Sequence, residues 1–321
     1  MTRPNLSLTL AGILLCSIAV FRLLGGDPPI DLERLAGADA LEWTILLQMR
    51  GPRVFLAICV GAALGLAGSV LQVVLRNPLA SPDIIGFSAG SAAGAVAFIL
   101  VFGSVSAAMA GAYIGGAVTL VFLFAFAWRR GLSQTSVILI GVALSLVLTA
   151  ATDVMLSLSP PLTAGETALF LSGSFAAADW NAVALILPIG LAGAILFLSF
   201  SAAIGSLELG DEVAVGHGLD PTRIRVWLTG SAALLVASAT AVAGPIPFVA
   251  FLAGPIARLA SGRTGPVLAL SAMTGAVLAT GAEALSTIRF LDVGLPAGIF
   301  TAALGGPVML MLVLRSARMS K

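Results

Sequence analysis

The stretch Val54–Leu75, VFLAICVGAALGLAGSVLQVVL, runs for 22 residues without a charge and decides the fold. A helix of that length spans about 33 Å at 1.5 Å per residue, enough to cross a hydrocarbon layer of about 30 Å. Nine further apolar runs flank it: Leu6–Leu24, Ile84–Val105, Ala107–Trp128, Ser136–Leu158, Ala182–Ile204, Val226–Ala243, Ile246–Ala260, Pro266–Ser286 and Leu295–Leu314. The run from Ile246 is short and interrupted by Pro255, and the polar Thr163–Trp180 is expected to fold back at the membrane surface. Of the 321 residues 59% are hydrophobic and only 10% charged, and the mean hydropathy is +1.09. A soluble domain carries about a quarter charged residues, so water is excluded as the main solvent. The expectation is an all-α polytopic membrane protein of about ten helices, forming one transmembrane domain over residues 1–321. The first run has a single Arg3 before it and no convincing small-residue cleavage site, so it reads as a retained helix and not a secretory signal.

Ten spans place both termini on one side, and the basic residues choose the side. With cytoplasmic termini, Arg3, Arg76, Arg129, Arg130, Arg223, Arg225, Arg258, Arg263, Arg315, Arg318 and Lys321 lie inside, while Arg22, Arg34, Arg50, Arg53 and Arg289 lie outside. This division of the 16 basic residues follows the positive-inside rule. The acids lean the other way, with Asp27, Asp31, Glu33, Asp39, Glu42, Glu166, Asp179 and Asp292 outside.

Small residues mark where helices approach. Gly86, Gly90 and Gly94 recur every four residues, as do Gly61 and Gly65, and such stripes are packing seams first and substrate contacts second. Cys16 and Cys59 both fall inside spans, without metal-ligand or disulfide spacing, and read as small apolar residues.

The energy source is not in this chain. A phosphate-binding loop needs a lysine within G-x-x-x-x-G-K-[ST], and the only lysine is Lys321. An ion-driven carrier would set ionisable residues deep in its spans. Asp153 and Glu283 are the candidates, both near the outer ends, where a headgroup-level or water-facing carboxylate is the expected role and a proton relay the alternative. His217 lies in a loop. An intramembrane enzyme would need clustered His, Asp, Glu or Cys, and a secondary carrier inverted repeats with midplane charges; neither pattern stands out. No catalytic residue, metal, cofactor or nucleic-acid contact is expected.

The connection Leu207–Pro221 within residues 205–225 reads as one or two short helices. Gly210, Ala214 and Gly218 are expected to share a helical face, with Asp211 and Glu212 complementing a helix N-terminus. That smooth face reads as a docking surface for another protein, with an ordinary solvated loop as the alternative.

Arg50-Gly-Pro-Arg53, Gly61-Ala-Ala-Leu-Gly65, Gln72 and Arg76-Asn-Pro-Leu-Ala-Ser-Pro-Asp-Ile-Ile-Gly86 resemble the FecCD-type permeases of iron-siderophore and vitamin B12 ABC importers. The likeness continues through Leu209-Gly210 to Gly218, Gly244-Pro-Ile-Pro-Phe-Val249, Ile256-Ala-Arg258, Leu295-Pro-Ala-Gly298 and Gly305-Gly-Pro307. It implies a type II importer fold, working with a second copy or a sister permease, two copies of an ABC ATPase and an extracytoplasmic substrate-binding protein, in the bacterial inner membrane. By the same resemblance Leu209, Gly210, Asp211, Glu212, Ala214 and Gly218 form the ATPase-coupling element, with Ala214 close against the ATPase, and Arg50, Arg53 and Arg289 meet the binding protein. Membrane anchoring is the other reading of those arginines. The chain departs from the family with Gly254-Pro255 where Pro-His is common, His217 where Leu is common, and Glu283 where Asp is common. Ser81–Phe87 and Leu207–Glu212 look most like the ferric-enterobactin, catecholate branch. The resemblance thus implies passage of a ferric siderophore, with haem and vitamin B12 as alternatives.

Overall fold

The computed structural model describes residues 3–26, 30–37, 40–103, 107–128, 134–263, 265–288 and 294–319, and no strand occurs among them. Seven of the described helices are long and apolar enough to cross a membrane, and Phe87–Phe102, Val249–Ser261 and Ala297–Met311 are shorter apolar helices. Each of the ten apolar runs has its counterpart among these.

In chain order the helices are α1 (Arg3–Leu24), α2 (Leu32–Ala36), α3 (Ala40–Thr44), a π-helical turn (Ile45–Arg50), α4 (Gly51–Val74), α5 (Pro82–Ile85), α6 (Phe87–Phe102), α7 (Ala108–Trp128) and α8 (Gln134–Ser157). There follow α9 (Pro161–Leu171), α10 (Trp180–Ser199), α11 (Ser201–Leu209), α12 (Asp211–Gly216), α13 (Pro221–Ala243), α14 (Val249–Ser261), α15 (Leu268–Ser286) and α16 (Ala297–Met319). Four boundaries correct the reading from sequence. The helical rod that ends in α4 begins at Ala40, so Arg50 and Arg53 lie within it and not ahead of it. The run from Ile84 is broken at Gly86, whose φ of +90° closes α5 before α6 begins. The run Ala182–Ile204 is two helices meeting at Phe200, and Thr163 falls inside α9.

Local chemistry explains several ends. Ser81 caps α5 by accepting from the Ile84 amide at 3.2 Å, with Pro82 in the first helical position. Asp220 caps α13 by accepting from the Thr222 and Arg223 amides, again ahead of a proline.

α4 is the axis of the bundle. It is packed on by α10, α13, α14 and α15, and Leu56, Ala57, Val60, Ala67, Val70 and Leu71 are completely buried. Lipid tails are as apolar as leucine, so close fit and not the hydrophobic effect holds such helices together. A Cβ on Gly61 would overlap Gly275, one on Gly65 the Ser271 carbonyl, and one on Gly68 the Ala250 carbonyl. The seam read at Gly61 and Gly65 is therefore the crossing of α4 with α15, and Gly68 extends it to α14. A second seam joins α6 to α7, where Gly90 and Gly94 abut Gly115 and Gly111. Gly86 does not continue that stripe; it faces Gly141 and Ser145 of α8.

α1 runs along α15, from Ser7, whose hydroxyl donates to the Ala260 carbonyl at 2.8 Å, to Arg22, which reaches Glu283. α16 starts beside Gly173 at the Arg22 end, where the Gly298 amide donates to the Gly173 carbonyl at 2.9 Å. α16 thus starts at the end of the bundle where α1 finishes, and the two helices run in opposite directions.

Gly68→Ala is expected to destabilise the detergent-solubilised protein by ~1–3 kcal/mol, the usual effect of overpacking. Gly12→Ala, at a position with nothing within 4 Å, is the control and should be near neutral. Equal thermal unfolding midpoints for the two variants would mean that the α4–α14 crossing is not tightly fitted.

Candidate functional site

The polar side chains gather at the two ends of α4. At its first turn a cavity of about 420 Å³ is lined by Arg22, Arg50, Arg53, Ser174, Glu283 and Thr287, among others. Arg50 is only 4% exposed and donates to the Leu23 carbonyl at 2.9 Å. This corrects its expected role: a buried guanidinium holding the end of α1 does not stand free to meet a partner. Arg53 is half-buried and donates to the Ala176 carbonyl at 2.8 Å, fixing the segment after α9. That segment is also held by the Ser174 amide, which donates to the Ala243 carbonyl at 2.9 Å. Arg289 lies outside the described residues.

Glu283 is the second correction. It is not water-facing but 2% exposed, paired with Arg22 at 3.2 Å and accepting from the Ser286 hydroxyl at 3.1 Å. Arg22 is itself 4% exposed. Nothing in the sequence joins these residues, 261 positions apart; only the parallel course of α1 along α15 brings them together. Asp153, by contrast, is exposed on α8.

At the other end, Gln72 of α4 donates to the Phe251 carbonyl at 2.9 Å and accepts from Arg258 at 2.8 Å, tying α4 to α14. Gly254 is the departure from the family pattern that makes room: a Cβ there would overlap the Gln72 amide oxygen. Beyond α4, Arg76 donates through Nε to the Leu207 carbonyl at 2.8 Å and pairs with Asp211. Arg225 reaches the same carboxylate, its Nη1 donating to Asp211 Oδ2 at 2.9 Å. The hydrogen bonds from Arg225, aided by its charge and that of Arg76, hold the Asp211 carboxyl below the usual carboxylate range. A depressed pKa means the cluster is strongest above the ordinary Asp range and is lost as pH falls through the lowered value.

The connection around Asp211 differs from the expected smooth face. Gly210 and Gly218 have φ of +139° and +74° and bracket α12 as turns, so they do not share a helical face with Ala214. Ala214 is fully buried, packed into this chain's own core, and does not face outward as expected. Exposed instead are Glu212 and the apolar Leu209, Val213 and Val215, with Leu209 74% exposed. Val213 and Val215 flank the inward Ala214, a local pattern the glycine spacing concealed. His217 is exposed and its Nδ1 lies 2.9 Å from the Ser206 hydroxyl. Cys16 and Cys59 are free thiols, and no cluster of metal-ligating side chains occurs among the described residues.

Removing one member of the Arg22–Glu283 pair leaves the other charge buried, which typically costs ~3–5 kcal/mol. Glu283→Ala should therefore unfold far more readily in detergent than wild type, while Arg22→Met with Glu283→Leu recovers most of the loss. A single variant no less stable than the double would show that the pair is not shielded as described.

The FecCD transport family model matches residues 8–315. The ferric enterobactin transport system permease protein FepG of Escherichia coli (strain K12) is 34% identical over 303 residues, covering 93% of this chain and 88% of its own. The Fe(3+)-citrate import system permease protein YfmE of Bacillus subtilis (strain 168) is 36% identical over 326 residues, covering 98% and 97%. Among solved structures, an inward-facing metal-chelate type ABC transporter superposes with a TM-score of 0.84 at 29% identity, over 96% of this chain and 98% of that one.

Proposed function

The chain belongs to the FecCD transport family, and from that membership and the chemistry at its two ends we propose that it is the permease subunit of an ATP-driven importer of ferric chelates. It works as a pair with a second copy or a sister permease, takes its energy from two copies of a separate ATPase, and receives its cargo from an extracytoplasmic binding protein. The end carrying α12 and both termini is the cytoplasmic one, in keeping with the inward bias of the basic residues.

The observation that carries this reading is the exposure of the apolar Leu209, Val213 and Val215 on a connection outside the long apolar spans. Exposed apolar patches beside polar neighbours mark protein contacts, and here the contact is the ATPase. Leu209 and Glu212 touch it, Gly210 and Gly218 shape the turns that present it, and the half-exposed Asp211, through its arginine partners, and the buried Ala214 hold the connection to the body of the chain. At the opposite end Arg53 and Arg289 meet the binding protein, and Arg50 supports them by fixing α1.

A ferric siderophore, catecholate in type, is the proposed cargo, supported by the whole-length likeness to FepG and by the segments Ser81–Phe87 and Leu207–Glu212. The comparable likeness to YfmE favours ferric citrate as the second reading. An ion-coupled carrier is disfavoured because the buried Glu283 is already committed to Arg22.

Reconstituted with a cognate ATPase and binding protein, the chain should drive ATP-dependent uptake of ferric enterobactin into liposomes, faster than that of ferric citrate, haem or vitamin B12. Uptake without the ATPase would overturn the importer assignment; preference for another cargo would overturn the catecholate assignment alone. Leu209→Glu with Val215→Glu should sharply reduce ATPase co-purification while leaving the chain in the membrane. Undiminished co-purification would remove these residues as the contact.

A further inference from the structure

Asp211 is the first residue of α12, and a carboxylate there would ordinarily be read as a dipole complement or as a contact offered to a partner. Its geometry is different. The Arg225 guanidinium engages both carboxylate oxygens, Nη1 on Oδ2 and Nη2 on Oδ1, and Arg76 shares Oδ1 from the other side. Arg76 also holds the Leu207 carbonyl, so one side chain grips the connection both before and after the turn at Gly210. It does so from a left-handed backbone position, φ +43°, just past the end of α4, a conformation that non-glycine residues adopt only when their surroundings impose it. Arg225 lies in the first turns of α13.

What the two arginines are attached to gives the arrangement its meaning. α4 has 24 residues, about 36 Å at 1.5 Å per residue, and its other end carries Arg50 and Arg53 at the arginine-lined cavity. Along the way the glycine crossings with α14 and α15 leave no slack for α4 to slide independently. A displacement of α12 therefore has a short polar route into α4 and α13, and a stiff one from there to the opposite face.

We infer that Asp211 is a positioning residue for energy coupling, passing the movement of α12 through Arg76 to α4 and through Arg225 to α13 without touching the ATPase. This rests on the importer reading above. The chemistry demands aspartate or a near equivalent, because two anionic oxygens accept three N–H groups. An asparagine would offer one oxygen and turn its NH2 towards a guanidinium.

The test uses the complete complex in nanodiscs, with Cys16 and Cys59 replaced by alanine and Met49→Cys as a reporter. Met49 is exposed, lines the outer cavity and precedes α4. The readout is the rate of labelling by a membrane-impermeant maleimide, with and without ATP under conditions that block hydrolysis. In the otherwise wild-type complex, nucleotide should change that rate. Asp211→Asn should shrink the change by roughly threefold or more, the range of residues that transmit coupling, while the ATPase still co-purifies. Asp211→Glu should keep most of the response, and Arg76→Lys, which retains charge but loses the fork, should lose it as Asp211→Asn does. A full nucleotide response in either Asp211→Asn or Arg76→Lys overturns the inference. So does loss of the ATPase from the Asp211→Asn complex, which would make Asp211 a docking contact. A reporter complex without these substitutions that binds ATP and shows no change at Met49 also overturns it, whereas an otherwise wild-type chain that never associates with an ATPase overturns the importer reading itself.

Discussion

The fold depends on how closely α4 passes its neighbours. In hydrocarbon a leucine gains nothing by leaving lipid for another leucine, so helices adhere only where their surfaces fit and backbones come near. Gly61, Gly65 and Gly68 supply that approach on successive turns of one helix, against Gly275, Ser271 and Ala250. Because the contacts are backbone to backbone, no rotamer change can relieve an added methyl group. The result is a central rod held on several sides, with α10 and α13 completing the enclosure and the α6–α7 pair repeating the device alongside.

A rod so enclosed has no room for charge along its length, and it carries none between Arg53 and Arg76. Ionisable groups are tolerated where they reach water or one another, which confines them to the ends. The chemistry of the molecule is thus divided in two. One end holds Arg22, Arg50, Arg53 and Glu283 around a cavity; the other holds Arg76, Asp211 and Arg225 under a short helix. Near the second end Gln72, itself uncharged, ties α4 to α14 by donating to the Phe251 carbonyl and accepting from the Arg258 guanidinium.

Much of this was legible in the sequence, because membrane spans announce themselves by length and hydropathy and because glycine spacing marks a seam directly. What escaped was whatever depends on direction. Gly86 belongs to the same four-residue repeat as Gly90 and Gly94, but its left-handed backbone puts it in a turn facing α8. Gly210 and Gly218 matched a helical spacing with Ala214, yet both have positive φ, so only Ala214 is helical and it points inward. Arg50 and Arg53 read as a matched outer pair, and they do line one cavity, but their partners differ: Arg50 is buried against the Leu23 carbonyl, while Arg53 stays half-exposed on the Ala176 carbonyl. The Arg22–Glu283 pair had no local signal at all, since it exists only once α1 lies along α15.

That pair resolves a problem the composition of α1 creates. Leu6, Leu10, Ile13, Leu14, Val20 and Phe21 are all well exposed, so α1 meets lipid over most of its surface and has no strongly preferred apolar face with which to fix its rotation. A buried ion pair adds little net stability, because desolvation offsets much of the attraction. It does add direction: a guanidinium and a carboxylate in a low-dielectric site tolerate few arrangements. With the Ser7 hydroxyl bonded to Ala260 near one end and Arg22 held by Glu283 near the other, 15 residues on, two polar ties determine both the height and the rotation of a helix that lipid would otherwise leave free to turn. The placement of α1, and with it the Leu23 carbonyl that secures Arg50, follows from those ties and not from hydrophobic patterning.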